Sequence, residues 1–170
     1  MIDIREISVN ETNVFWDCLL YTSDAADEEH IKYLVEDEIV TDKEDIEYFS
    51  SSEYRDFLEN SMNNDKDRHY IAYFFENDIE IGAVQFTIYN NEDGKYFGEC
   101  FILDFWIYPE FRNKLKGLKC FKKLEEYTKP LGATHYVLNS MKDNSIRFWE
   151  KLGFVENGID EWGMKLFRLY

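Results

Sequence analysis

LDFWIYPEFRNKLKGLKCFKKLEEY, residues 103–127, decides how this chain is read. Its first part completes GECFILDFWIY (98–108), a nearly all-apolar run of the kind found in strands buried on both faces. Pro109 closes that strand, because it has no N–H for a further ladder bond. From 113 to 128 the residues Leu118, Phe121, Leu124 and Tyr127 recur at helical spacing. The stretch is a strand, a turn and a helix. The first amides of a helix have no internal partners, and with the helix dipole they make a site for anions. Arg112, Lys114, Lys116, Lys119, Lys122, Lys123 and Lys129 crowd here, seven of the 19 basic residues in an otherwise acidic chain. Such a patch suits a polyphosphate. A solvated helix face, neutralised by Glu125 and Glu126, is the plainer alternative, and charge alone does not separate the two.

Upstream, RHYIAYFFEN (68–77) and IEIGAVQFTIYN (79–90) read as a hairpin around Asn77-Asp78. Asn91–Gly94 reads as a second tight turn, since Asp-Gly favours positive φ. IDIREIS (2–8) reads as a short strand, followed by a helix with Val14, Leu19 and Leu20 among its apolar residues. Helical segments are expected near 31–39 and 52–62, the second capped by Ser51 or Ser52. Downstream, THYVLNS (134–140) is a strand after Gly132. Asp143–Leu152 is a helix, with Asp143 as N-cap and Gly153 just past its end. MKLFRLY (164–170) is a last strand. The order β-α-α-β-β-β-α-β-α-β, without repeat or linker, predicts one α/β domain over residues 1–170.

The chain has 170 residues, 45% hydrophobic and 18% aromatic, enough for one real core. Cys18, Cys100 and Cys120 are odd in number and widely spaced, which argues against a disulfide framework or a zinc site. No metal is expected, and a reduced, cytoplasmic protein is. There is no apolar run of membrane-spanning length, and MIDIREIS lacks the regions of a secretion signal. The net charge of −16 repels nucleic acid and attracts cationic small molecules or basic peptides, plain solubility being the simpler account. His30, His69 and His135 share no metal or triad spacing and read as structural. Trp162 reads as packing at the last turn. The aromatics of 70–75 and 86–89 read as core and sheet pairs rather than a platform for bases. Cys18–Glu28, CLLYTSDAADE, resembles a one-frame translation of a sequencing-library adapter, with an ordinary acidic loop as the alternative.

Pro109-Glu110-Phe111-Arg112 and the turn after it resemble the acetyl-CoA-binding motif of the GNAT superfamily of N-acetyltransferases, P-x-Y/F-R-x-x-G-x-G/A. Aligned on Arg112, the second glycine falls on Gly117 and the first on Leu115, a departure. NSIRFWEKLGF (144–154) resembles the family's S/A-I-x-F-Y-E-K-L-G-F. There the family's tyrosine position holds Trp149. The family asparagine falls on Lys142, with Asn139 and Asn144 as nearby substitutes. The resemblance covers residues 68–170 well and the N-terminal part by element order.

The resemblance implies a GNAT fold: a central mixed, mostly antiparallel twisted sheet of six to seven strands flanked by about four helices. It implies acetyl-CoA as cosubstrate, held by Arg112, Asn113, Lys114, Leu115, Lys116, Gly117 and Leu118, by the backbone of Phe105, Trp106 and Ile107, and by Asn139 and Asn144. One amide of the 105–107 stretch would stabilise an oxyanion. Asp104 stands where related polyamine acetyltransferases carry an acid that meets the amine. A charge inside FILDFWI is costly to bury without a partner, so Asp104 is the candidate base or cation anchor, a satisfied structural carboxylate being the alternative. Glu99 is the alternative base, on the opposite face of an unbulged strand. Trp149 could donate a hydrogen bond to sulfur or simply pack, since indole is no useful acid; water or Tyr136 could supply that proton. The expected activity is acetyl transfer from acetyl-CoA to an amine of a small cationic molecule or basic peptide. The expected state is a monomer or homodimer without nucleic-acid or membrane partners. The departures keep open a weak or inactive CoA-binding or protein-interaction domain, and the charge alone an acidic decoy.

Overall fold

The structure is a computed structural model that describes residues 1–19, 51–112, 115–161 and 163–170. Asn77 and Asp78 both adopt left-handed backbone, φ 51° and 64°, which lets a two-residue turn follow the twist of its strands. They join β2 (Asp67–Glu76) to β3 (Ile79–Tyr89), and Tyr70 stacks on Phe86 across the pair at 5.1 Å. β1 (Ile2–Glu6) pairs with β2 and β4 (Glu99–Ile107) with β3, all antiparallel. β5 (His135–Ser140) runs parallel to β4; β7 (Lys165–Leu169) and β6 (Val155–Ile159) complete the order β1-β2-β3-β4-β5-β7-β6. The seven-stranded mixed sheet is the one expected.

Two apolar cores lie on opposite faces of this sheet. One packs Phe15 and Trp16 of α1 (Thr12–Leu19) and Tyr54 and Leu58 of α2 (Ser52–Ser61) against Ile71, Tyr73, Ala83 and Trp106. Glu59 ties the two helices, accepting from Thr12 Oγ1 at 2.5 Å and Trp16 Nε1 at 3.1 Å. The other packs Phe121 and Leu124 of α3 (Lys116–Thr128) and Trp149 of α4 (Asp143–Lys151) against Phe74, Phe86 and Ile102. No helix among the described residues is long and apolar enough to cross a membrane.

Several local expectations are corrected. Asn91–Gly94 is a turn, Gly94 N donating to the Asn91 carbonyl at 2.8 Å, but not a tight hairpin: β3 ends at Tyr89 and β4 begins at Glu99, with Gly98 rather than Gly94 at positive φ. Asp143 is the first helical residue and Lys142 the N-cap, while Ser51 caps α2 by accepting from Tyr54 N at 3.2 Å. α3 starts at Lys116, not at 113. Val14 is exposed, and the apolar face of α1 is carried by Phe15 and Trp16. β6 had no sequence signal, because its VENGI residues are exposed on both faces and show no alternation. The helix near 31–39, His30, Asn113, Lys114, Trp162 and all but the start of CLLYTSDAADE lie outside the described residues.

Leu115, just before α3, has φ 64° and ψ 23°. That conformation costs a residue with a Cβ about 1–2 kcal/mol, and the side chain is 68% exposed, so little packing offsets it. Leu115→Gly should stabilise the fold by roughly 0.5–1 kcal/mol, after allowance for the greater freedom of glycine in the unfolded chain. Thermal melting should show a Tm higher by about 2–4 °C per kcal/mol. A lower Tm would mean that the leucine makes contacts worth more than its strain.

Candidate functional site

β4 pairs with β5 only at Glu99, Cys100 and Phe101, opposite His135, Tyr136 and Val137. Beyond that point the strands part. β5 continues to Ser140 on β7, and β4 continues to Ile107 on β3. The β5-facing edge of β4 from Ile102 onward is therefore without a strand partner among the described residues. Backbone N–H and C=O groups need partners, so this opening is suited to an extended, amide-bearing ligand. Phe105, Trp106 and Ile107 lie along it, and the Ile107 carbonyl accepts from Arg112 Nε at 2.6 Å.

The register shifts where Gln85 pairs with Asp104 and Phe86 with Ile102, which leaves Leu103 as an extra residue. The alternation of β4 changes there. Cys100 and Ile102 face α3 and α4, and after the bulge so do Phe105 and Ile107, while Trp106 faces α1 and α2. Asp104 thus lies on the α1–α2 face. Glu99, flanking Cys100, lies on that same face, which corrects the expectation for an unbulged strand.

Asp104 is set deep in the protein but keeps part of its surface open. Burial pushes its carboxyl up to about 7, against the opposing effect of a hydrogen bond from Gln85 Nε2 to Oδ2. Gln85 Oε1 meets His69 Nε2 at 2.9 Å, and His69 Nδ1 meets Thr87 Oγ1 at 3.0 Å. Burial pushes His69 down to about 4, so the ring is neutral near neutral pH. His69 is structural in the sense expected, but its connection to Asp104 was not foreseen. The signal was present: Gln85 is the lone amide within β3, IEIGAVQFTIY, buried where β-branched or aromatic residues would otherwise stand.

At the head of α3, Gly117 lies in the first turn. A Cβ there would come within 2.8 Å of the Phe148 ring, so a larger residue at the head of α3 would have to displace that ring. Leu118 is half-buried one residue on. Lys116 is not free: its ammonium is hydrogen-bonded to Glu76 at the end of β2. Lys116, foremost, holds the Glu76 carboxyl below the usual carboxylate range. Glu76 carried no sequence signal, because it is far from Lys116 in the chain.

The remaining candidates are scattered. Trp149 is buried among Phe105, Phe121, Phe148 and Phe154, with ring centroids 4.9–5.8 Å away. Asn139 Nδ2 donates to Asp160 Oδ2 at 2.9 Å, and Asn144 is exposed at the start of α4. Glu99 is buried at the far end of β4, 3.6 Å from His135 Nε2 and 3.7 Å from Arg168 Nη2. Burial raises its pKa, and those two partners oppose the rise. At about 3.3 Å per residue, five residues separate it from Asp104 by most of the strand. The Tyr136 hydroxyl meets Thr128 Oγ1 at 2.8 Å, at the end of α3 remote from its first turn. Burial pushes it up to about 12.

Comparison with known proteins bears on this arrangement. No curated protein matches the sequence significantly. Among solved structures, a PaiA N-acetyltransferase from Thermoplasma acidophilum in complex with coenzyme A matches with TM-score 0.67 and 19% identity, over 99% of this chain and 98% of that one. An acetyltransferase from Thermus thermophilus matches with TM-score 0.65 and 8% identity, over 99% and 96%. Aminoglycoside acetyltransferase AAC(6')-Ib in complex with coenzyme A and kanamycin matches with TM-score 0.62 and 15% identity, over 99% and 94%. At such identities these likenesses speak for the fold. The sequence profile of the acetyltransferase (GNAT) family matches residues 27–154. With the motif at Pro109–Arg112, the parted strands and the glycine packed at the head of α3, the chain belongs to the GNAT acetyltransferase family.

Proposed function

We propose that this protein transfers an acetyl group from acetyl-CoA to an amine of a small cationic molecule or basic peptide, with Asp104 receiving the proton of that amine. The observation that carries the reading is a partly open carboxylate on the very stretch of β4 whose edge has no strand partner. The residues fit acetyl-CoA. The parted edge at Phe105–Ile107 offers backbone partners to its amides, and the first turn of α3, with Arg112 beside it, offers N–H groups to its phosphates. Acetyl-CoA would supply an acetyl group activated as a thioester. Asp104 accepts a proton from the incoming ammonium and holds the neutral amine. An N–H of the β4 edge donates to the developing oxyanion. Trp149 has no acidic proton to give, so protonation of the leaving sulfur falls to solvent. The acidic composition favours cationic acceptors, and solved neighbours hold coenzyme A, one of them with kanamycin. A second reading, a domain that binds CoA without turnover, is favoured by Trp149 being closed in among aromatic rings.

Calorimetric titration with acetyl-CoA and CoA, followed by thiol release over a panel of amines, tests the proposal. Binding with turnover supports it; binding without turnover leaves the second reading. Asp104→Asn should lower kcat by about 100-fold or more while leaving the Kd for acetyl-CoA unchanged. Because the basic form is required, kcat/KM should fall as pH drops through about 7. Stability has the opposite sign. The carboxyl pKa is raised by folding, so its contribution to stability is full below about 4 and is lost as pH rises through about 7. Urea unfolding should therefore find Asp104→Asn more stable than the parent at pH 8 and no more stable at pH 3.5. Two further changes test the phosphate turn by calorimetry. Arg112→Ala should weaken CoA binding. Glu76→Gln releases the Lys116 ammonium and should tighten binding by roughly three- to tenfold; unchanged affinity would mean that Lys116 does not face the ligand.

A further inference from the structure

His69, Thr87 and Gln85 stand on adjacent strands, with His69 opposite Thr87 and Gln85 opposite Asp104. They are joined in one line, Thr87 to His69 to Gln85 to Asp104, that crosses β2, β3 and β4 on the α1–α2 face. His69 is 1% exposed and Gln85 fully buried. The line has one consistent direction. An ionised carboxylate only accepts, so Gln85 must present its NH2 group to Asp104. That turns Gln85 Oε1 to His69, whose Nε2 must then carry the hydrogen. A neutral ring leaves Nδ1 as an acceptor for the Thr87 hydroxyl. Each donor points toward Asp104, and bonds aligned in this way polarise one another in the same sense. The line ends on Oδ2. Oδ1 takes no hydrogen bond from the described residues.

Resting on the reading of Asp104 as the group that meets the amine, we infer that Gln85 and His69 are positioning residues for it: they hold Oδ2 inward, leave Oδ1 for the substrate, and favour the ionised carboxylate. Neither touches substrate. Apolar residues would fill both positions at lower desolvation cost, as Ile71 and Ala83 do on the same face. The other titratable or charged groups described on this face include Tyr73 on β2, Tyr89 on β3, Glu99 on β4, Tyr108 just after β4, and Tyr54, Arg55 and Glu59 on α2. Glu59 is bound by Thr12 and Trp16, Tyr108 donates to Glu80, and Arg55 lies over the Trp16 ring. None of them hydrogen-bonds Asp104. Gln85 is its one described hydrogen-bond partner.

The test reads the carboxyl directly. Protein labelled with carbon-13 at aspartate carboxyls is titrated by NMR, the Asp104 signal being the one missing from Asp104→Asn. Gln85→Met keeps the volume but removes the donor, and should raise the Asp104 midpoint by about one pH unit or more, as expected for losing a hydrogen bond to a charged group. The acid limb of kcat/KM should move by the same amount, with KM for acetyl-CoA unchanged. His69→Phe should move the midpoint the same way by less, and His69→Gln, which restores a donor to Gln85, should bring it back. An unmoved midpoint in folded Gln85→Met overturns the inference. Should that variant fail to fold, equal midpoints in His69→Phe and His69→Gln overturn it instead. The midpoint does not depend on turnover. Full activity in Asp104→Asn would refute the proposed base while the titration still judges the line.

Discussion

The separation of β4 from β5 is the constraint around which this molecule is arranged. A parallel pair that stops after three residues leaves a row of backbone groups with nowhere to go inside the sheet. Everything else serves that opening. β3 and β7 hold the diverging strands from outside, so the gap cannot close by sliding. α3 and α4 cover one face and α1 and α2 the other, which leaves the gap as a passage between two differently lined sides. The head of α3 is on the first side and Asp104 on the second. A ligand reaching from one to the other must run through the passage.

The head of α3 combines a glycine-like backbone with residues other than glycine. The backbone at Leu115 takes the left-handed conformation that a glycine would adopt freely. Lys116 supplies positive charge at the first helical residue, but Glu76 competes for it. At Gly117, the Phe148 ring occupies the space that a side chain would need. The same helix pair surrounds Trp149 with rings on several sides, so the tryptophan is accounted for by packing, each such aromatic contact being worth about 0.5–1.5 kcal/mol.

Much of this was legible in the sequence wherever the signal is local. The apolar run at 98–108, Pro109 and the helical repeat after it fixed the strand, turn and helix, and Asn77-Asp78 marked its hairpin correctly. The side chains that pair with Asp104 and Lys116 were not legible, for a common reason. Gln85, His69 and Glu76 act across strands, and their partners are set by register rather than by spacing along the chain. The bulge at Leu103 was equally hidden, since an extra residue in an all-apolar run leaves no mark in composition. It alone reversed the expected relation of Glu99 to Asp104. β6 escaped because an edge strand exposed on both faces needs no alternation.

The bulge also divides β4 into two halves with independent parity. The half before Leu103 assigns inside and outside by one count, and the half after it by the other. A single-residue deletion at the junction would preserve the strand and its hydrophobicity, yet exchange the two sides of one half. Asp104 would turn into the aromatic core, or Cys100 and Ile102 out of it. The sheet would tolerate neither, and so one extra leucine keeps the acid on the α1–α2 face.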